Sequence, residues 1–499
     1  MSMRTGQVGR ALAWATIMGL LPAVAACSDD GSDGLLPDAA PATTEPSTTT
    51  STIPEFVPAP IAWRPCEDGL ECAEVTVPVD YGQPAGPTLA VSVQRAPASG
   101  QRTGALFVNP GGPGGGTGDF VGHLKENLPG TVTERFDLVG VDWRGTAASD
   151  FGCGVTIPEL YAADHTIEDE ADTAALVDVS RRYAEGCAAG AGDLLAHIGT
   201  RDAAHDVDVV RAAMGDEQIS FLGISYGSLL GQVYAQQFPD RVRAMVIDGI
   251  AEPGVSGVDA ATAQAVGFES VFGAFAAACD AEPNCPLAGD TRGAVERLIA
   301  QVESAPLAVE GGQVGPGELA LALSVNLYGE GGWPDLSYAI DAGLEGDGSL
   351  LGQLADDYMG IVDFDIYFAV FCLDQDWPED PNELLAAGKA AAASAPHFGE
   401  ALVNDYVRCS VWPVEEQPLP AITAPGTPPI LVVSTTNDPA TPHDAAVRVA
   451  DRLESAVLLT VEGDRHGATS GGLTCVDEHV AHYLVNVIPP PEGTVCAPD

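Results

Sequence analysis

Positive charge is scarce in this 499-residue chain: 21 Lys and Arg stand against 71 Asp and Glu, a formal net charge of −50. So acidic a surface repels phosphate backbones and anionic lipid headgroups, which argues against nucleic acid as a partner. No Cys-x-x-Cys pair occurs, and the irregular cysteine spacings argue against a zinc site. The glycine-rich run at 109–116 is not followed by Gly-Lys-Ser/Thr, so it is not a phosphate-binding P-loop. No metal and no cofactor is expected. The apolar stretch from Ala11 to Ala26 is short for crossing a bilayer. What remains is a chain with 46% hydrophobic residues, ample for a buried core, and long enough for several domains or one large α/β core with an insertion. Nothing in it sets an oligomeric state.

Arg4 and Arg10, the apolar stretch and the run Val24-Ala25-Ala26-Cys27 read as a bacterial secretory leader (1–26) ending in a lipobox. In that reading Cys27 is the first mature residue and carries a diacylglyceryl thioether, which places the protein on the outer face of the cell membrane; an ordinary leader beside an incidental cysteine is the alternative. Residues 27–60 are rich in Ser, Thr, Pro, Asp and Ala, too poor in apolar surface to offset ordering entropy, and read as a tether. Ten further cysteines remain: Cys66, Cys72, Cys153, Cys187, Cys279, Cys285, Cys372, Cys409, Cys475 and Cys496. An even number in an exported chain implies disulfides. Sequence leaves the pairing open; joining neighbours in order gives five local loops.

Beyond the tether, strand and helix signals alternate. Ala105–Asn109, Asp137–Asp142, Ile219–Leu222 and Val242–Asp248 read as buried strands, and Ala203–Met214 as a helix. Alternation of this kind predicts an α/β fold with a mostly parallel sheet covered on both faces. Helical, Ala- and Gly-rich sequence occupies 251–415 and reads as a lid inserted between two parts of the core, 61–250 and 416–499. The sheet pattern resumes at Pro429–Ser434, followed by a helix from about His443 to Leu453 and a strand at Val457–Val461.

Within this frame, Gly223-Ile224-Ser225-Tyr226-Gly227 follows a strand and precedes a helix. Strand, Gly-x-Ser-x-Gly, helix is the nucleophile elbow of an α/β-hydrolase, but with 57 glycines the pattern needs support from its surroundings. A serine hydroxyl is a poor nucleophile, so an acid and a histidine must follow in the order Ser, acid, His. Asp438 sits in the stiff loop after the strand Ile430–Ser434, and His466 lies just past the last strand. Asp444 and Asp464 are rival acids. Among rival histidines, His443 opens a helix five residues from Asp438, while His479 and His482 share one face of the final helix. Thr441 is placed to hydrogen-bond the Asp438 carboxylate. For the oxyanion of an acyl-transfer intermediate, the N–H of Tyr226 and one from the loop Asn109-Pro110-Gly111-Gly112-Pro113-Gly114 are the expected donors, Gly112 before Gly111.

Together, Asn109-Pro110-Gly111-Gly112-Pro113-Gly114, Asp142-Trp143-Arg144-Gly145, the Ser225 elbow, Asp248-Gly249 and Asp438-Pro439-Ala440-Thr441-Pro442 resemble the α/β-hydrolase peptidases related to prolyl aminopeptidase. The resemblance is nearest to actinobacterial tripeptidyl aminopeptidases and to the lipid-anchored cell-envelope serine proteases of mycobacteria. Asn109 stands where prolyl aminopeptidases commonly have histidine, and the run from Gly145 to Ser149 departs from the usual Gly-x-Gly-x-Ser. The family implies peptide or protein substrates with free N-termini, cut through an acyl-enzyme, with an acidic lid residue holding the substrate ammonium. Asp374 and Glu269, with Asp376 beside them, are the candidates. A carboxylesterase or lipase using the same triad is the main alternative, and a non-catalytic envelope binding protein the other.

Overall fold

The computed structural model describes residues 56–146, 151–310, 312–469 and 471–498. The leader, Cys27, most of the tether and positions 147–149 of the Gly145–Ser149 run lie outside them. Strands β1 (Arg64–Pro65), β2 (Glu71–Pro78), β3 (Thr88–Ala96), β4 (Gly104–Asn109), β5 (Phe136–Val141), β6 (Ile219–Ile224), β7 (Val242–Asp248), β10 (Ile430–Asn437), β11 (Ala456–Asp464) and β12 (Val495–Cys496) form one sheet. Its order is β1-β2-β3-β5-β4-β6-β7-β10-β11-β12. Pairing is antiparallel from β1 through β3 to β5 and parallel from β5 onward.

The parallel strands are nearly continuous apolar runs because helices cover both faces. Alternation of side chains divides them between two cores. Phe107, Phe221, Ile247 and Val432 point into one, with Leu229 and Val233 of the helix Tyr226–Gln237 and Val207 and Val210 of the helix Thr200–Met214. Leu106, Leu222, Val246 and Leu431 point into the other, against Val121 and Leu124 of Thr117–Asn127 and Val476, Val480 and Leu484 of Thr474–Asn486. Behind β5, Arg144 is fully buried and donates twice to Asp206, at 2.8 and 2.7 Å, which fastens the Asp142–Gly145 turn to the helix Thr200–Met214.

Between β7 and β10 the chain is mainly helical, from Gly257–Ala281 to Gly399–Asn404, with one hairpin of β8 (Leu307–Val309) and β9 (Gly312–Val314). Phe268, Phe272, Phe275 and Phe368 of this insertion belong to the same core as Phe221 and Ile247. The insertion therefore shares its core with the sheet. All ten cysteines pair with their neighbours in order: Cys66–Cys72, Cys153–Cys187, Cys279–Cys285, Cys372–Cys409 and Cys475–Cys496.

Candidate active site

Ser225, Asp438 and His466 follow the carboxyl ends of β6, β10 and β11, the sheet edge where an open α/β fold places its ligands. Ser225 has φ 58° and ψ −127°, a conformation that non-glycine residues avoid, and it opens the helix Tyr226–Gln237. The two flanking glycines permit this. A Cβ at Gly223 would lie 2.2 Å from the Gly227 carbonyl oxygen, and one at Gly227 would lie 2.6 Å from that of Asn109. The strain is held by the Ser225 N–H donating to the Asp248 carbonyl at 2.8 Å.

His466 stands against Asp438, with Nδ1 at 2.8 and 3.0 Å from the two carboxylate oxygens. Asp438 is fixed in turn: Ala440 and Thr441 donate backbone N–H groups to Oδ1 at 2.9 and 2.8 Å, and the Thr441 hydroxyl donates to Oδ2 at 3.1 Å. Burial alone would depress the imidazole pKa, but the Asp438 carboxylate, with Asp248 behind it, holds it above the ordinary histidine value. Nδ1 is thereby assigned to the acid. Nε2 is buried without a hydrogen-bond partner among the described residues, and His466 and Ser225 line the same cavity.

Gly249, at φ 58°, makes room for this ring. A Cβ there would lie 2.9 Å from His466 Cε1 and 3.1 Å from the Thr441 hydroxyl. Gly249→Ala is expected to push the imidazole aside and lower kcat by roughly 10²-fold with a smaller change in KM; steady-state kinetics against a well-folded variant checks it.

The glycine loop meets the elbow closely, a Cβ at Gly111 falling 2.7 Å from Ser225 Cβ and 3.1 Å from the Tyr226 nitrogen. Gly111 donates its own N–H to Asn109 Oδ1 at 3.0 Å and so is committed. Gly112 lines the cavity, and the Tyr226 N–H, in the first turn of its helix, has no intrahelical acceptor.

Three of the rival residues have partners elsewhere. Asp464 accepts from the Asn437 amide. His443 Nδ1 lies 3.0 Å from the Ser434 hydroxyl, and His482 Nδ1 lies 3.3 Å from the Ile488 carbonyl.

None of the expected amine-binding acids lines the cavity that holds Ser225. Asp374 does not line the cavity. It is buried, with Oδ2 accepting the Thr200 N–H at 2.7 Å and the Tyr226 hydroxyl at 3.1 Å, so it braces the elbow from behind. Glu269 lies 2.9 Å from His397 Nδ1, accepts the His397 N–H at 3.0 Å and has Arg292 at 3.5 Å. Asp376 is exposed and also outside the cavity wall. A lid position in sequence does not say which helix face meets the cavity.

The carboxylates that do line it are Glu252 and Asp259. Glu252 is bound by Arg448 at 2.6 Å and Arg452 at 2.6 Å. Asp259, in the first turn of Gly257–Ala281, takes the Ser256 hydroxyl at 2.8 Å and pairs with no cation among the described residues. The opposite wall is aromatic, with Tyr328, Tyr358, Phe364, Tyr367, Phe371 and Tyr406 around a cavity of about 470 Å³. Backbone contacts lock the insertion over it: Tyr328 accepts the His466 N–H at 2.8 Å, and the Asp363 N–H donates to Gly114 at 3.1 Å.

A strained serine at the carboxyl edge of a parallel sheet, sharing a cavity with an acid-bound imidazole, is the arrangement of the α/β-hydrolases, and the protein is a hydrolase of that class. The profile of the TAP-like protein family matches residues 395–496. Over 88% of this chain and 91% of its own length, serine protease Hip1 of Mycobacterium tuberculosis is 33% identical. Tripeptidyl aminopeptidase of Streptomyces lividans is 32% identical over 88% of this chain and 87% of its own. A Mycobacterium tuberculosis protein named carboxylesterase B is 36% identical over 93% and 96%. The chain belongs to the TAP-like family of α/β-hydrolases.

Proposed function

We propose that the protein is an exported serine exopeptidase that releases short peptides, tripeptides by preference, from free N-termini. Ser225 is the nucleophile, His466 its base and Asp438 the acid that orients the base. The Tyr226 and Gly112 N–H groups receive the oxyanion. Attack by Ser225 Oγ on the scissile carbonyl passes the hydroxyl proton to His466 Nε2, which returns it to the leaving amine; water then repeats the sequence on the acyl-enzyme. The observation that carries this reading is that one cavity holds Ser225, His466 and Gly112 together with Asp259, a carboxylate paired with no cation among the described residues. Closed over by the helical insertion acting as a lid, it suits a short peptide with a charged amine better than a long internal segment. The lipobox at Cys27 supports anchoring on the outer membrane face, and five disulfides support an oxidising compartment.

Cleavage of a library of free and N-acetylated peptides tests the function, since product length separates removal of one, two or three residues. The relative named carboxylesterase B favours a second reading, an esterase with the same triad. Turnover of short acyl esters without any peptide product would establish that one and end the first.

Asp259 replaces Asp374 and Glu269 as the amine-binding acid. A hydrogen bond to a charged group contributes about 1.5–3 kcal/mol, so Asp259→Asn should raise KM for an unblocked tripeptidyl anilide roughly 10- to 100-fold. An N-acetylated analogue should be cleaved poorly by both proteins, with no difference between them.

A further inference from the structure

The acid that ends β7 belongs neither to the triad nor to the cavity wall, yet it touches both halves of the site. Asp248 is fully buried. Its carbonyl accepts the Ser225 N–H at 2.8 Å. Its carboxylate Oδ2 accepts three donors: the Ala468 N–H at 2.6 Å, the Thr469 N–H at 2.8 Å and the Thr469 hydroxyl at 2.9 Å. Ala468 and Thr469 stand two and three places after His466. One residue thus ties the turn carrying the nucleophile to the loop carrying the base.

The other carboxylate oxygen, Oδ1, is buried with no hydrogen-bond partner among the described residues. Burying a carboxylate with one oxygen unpaired is costly, and a neutral acceptor could anchor the loop without that penalty. Such a charge is retained where something nearby depends on it. What lies nearby is His466. Around its ring are Asp438 on Nδ1, the Thr441 hydroxyl at 3.3 Å, the Tyr328 ring with its centroid at 5.4 Å, and Asp248 on the strand beneath.

We propose that Asp248 is a positioning residue for the reaction: it holds the His466 loop in register with the Ser225 elbow, and its buried charge stabilises the imidazolium formed when Ser225 gives up its proton. The proton moves from Ser225 Oγ to His466 Nε2 and no further; burial pushes the Asp248 carboxyl above the ordinary aspartate value, while the Ala468 and Thr469 donors and the His466 imidazolium favour its charged form. The proposal rests on the reading of Ser225, Asp438 and His466 as a triad.

Asp248→Asn separates anchor from charge, because the amide oxygen can keep the three donors. In the full-length protein its melting temperature should stay near that of the wild type and KM should hold. The acid limb of the pH profile of kcat/KM should move down by roughly half a pH unit, as loss of a negative charge lowers the imidazole pKa. kcat should fall about tenfold. Thr469→Val removes one donor and no charge; kcat should fall about threefold with the acid limb unmoved. A purely structural residue would lower the melting temperature and leave both profiles alone. If Asp248→Asn keeps the wild-type kcat and acid limb, the proposal is overturned; if that variant does not fold, an unchanged kcat in Thr469→Val overturns it. Labelling by a fluorophosphonate distinguishes the two levels: absence of Ser225 labelling in the wild-type protein overturns the triad reading and this proposal with it, whereas normal labelling beside an unaltered Asp248→Asn overturns this proposal alone.

Discussion

Ser225→Ala is expected to fold as the wild type and to lose turnover by roughly 10⁴- to 10⁶-fold. The change removes one oxygen and keeps the Cβ, so the elbow, its N–H bond to Asp248 and the packing of Gly223 and Gly227 stay as they are. What disappears is the atom that forms the acyl-enzyme in the proposed mechanism. The residual rate should come from the Tyr226 and Gly112 donors and from substrate binding, and KM should therefore change little. Matched circular dichroism and single-turnover kinetics check the prediction. A variant within tenfold of the wild type would remove Ser225 from the mechanism.

Asp438→Asn is the second large effect, with kcat reduced by about 10⁴-fold. The Ala440 and Thr441 N–H groups can still reach the amide oxygen, so the loop is kept. An amide N–H then faces His466 Nδ1, and the imidazole turns to the tautomer with its proton on Nε2, which cannot accept one from Ser225. The pH dependence follows with a definite sign. His466 must be neutral to act as base, and its pKa is raised, so wild-type activity climbs with pH through a value above the ordinary histidine value near 6.5. Without the Asp438 charge the acid limb moves to lower pH, even as the plateau falls. A larger downward shift for Asp438→Asn than for Asp248→Asn is expected, because Asp438 both touches the ring and is the stronger of the two influences on it.

Much of this site was legible before any coordinates. Strand β7 occupies the span read from sequence, and β6 extends only from Leu222 to Ile224 beyond its expected end. Those segments are nearly continuous apolar runs, interrupted in β7 by Arg243, which a doubly covered parallel sheet produces. β10 continues to Asn437 and β11 to Asp464, three residues past each expected end, because the polar residues there still pair across strands. Asp438 and His466 consequently leave their strands closer to the sheet edge than expected. The antiparallel edge of β1 to β3 went unread: Glu71–Pro78 alternates apolar and polar residues and carries no helix between it and β3 to mark it.

The expected amine-binding acids are placed away from the cavity wall. Asp374 and Glu269 were chosen by charge and by membership of the insertion, but a helix buries one side and exposes the other. Asp374 turns toward Thr200 and Tyr226, and Glu269 toward His397. Asp259 carries no sequence signal that separates it from the many other acids of this chain, and Asp248 stood out only within the Asp248-Gly249 motif of the resemblance, with no role attached.

The sequence by itself determined the fold class, the order Ser225, Asp438, His466, and the local cysteine loops as one candidate pairing. These are consequences of periodicity, turn chemistry and chain order, which are written along one dimension. Only the tertiary structure decided that Gly111 is committed while Gly112 faces the cavity, that Asp374 braces Tyr226, and that Asp248 joins the elbow to the base. The Gly111 bond spans only two residues, but the other two depend on contacts between segments from tens of residues to more than two hundred apart, where the direction of a side chain, set by packing, determines what its charge or N–H can reach.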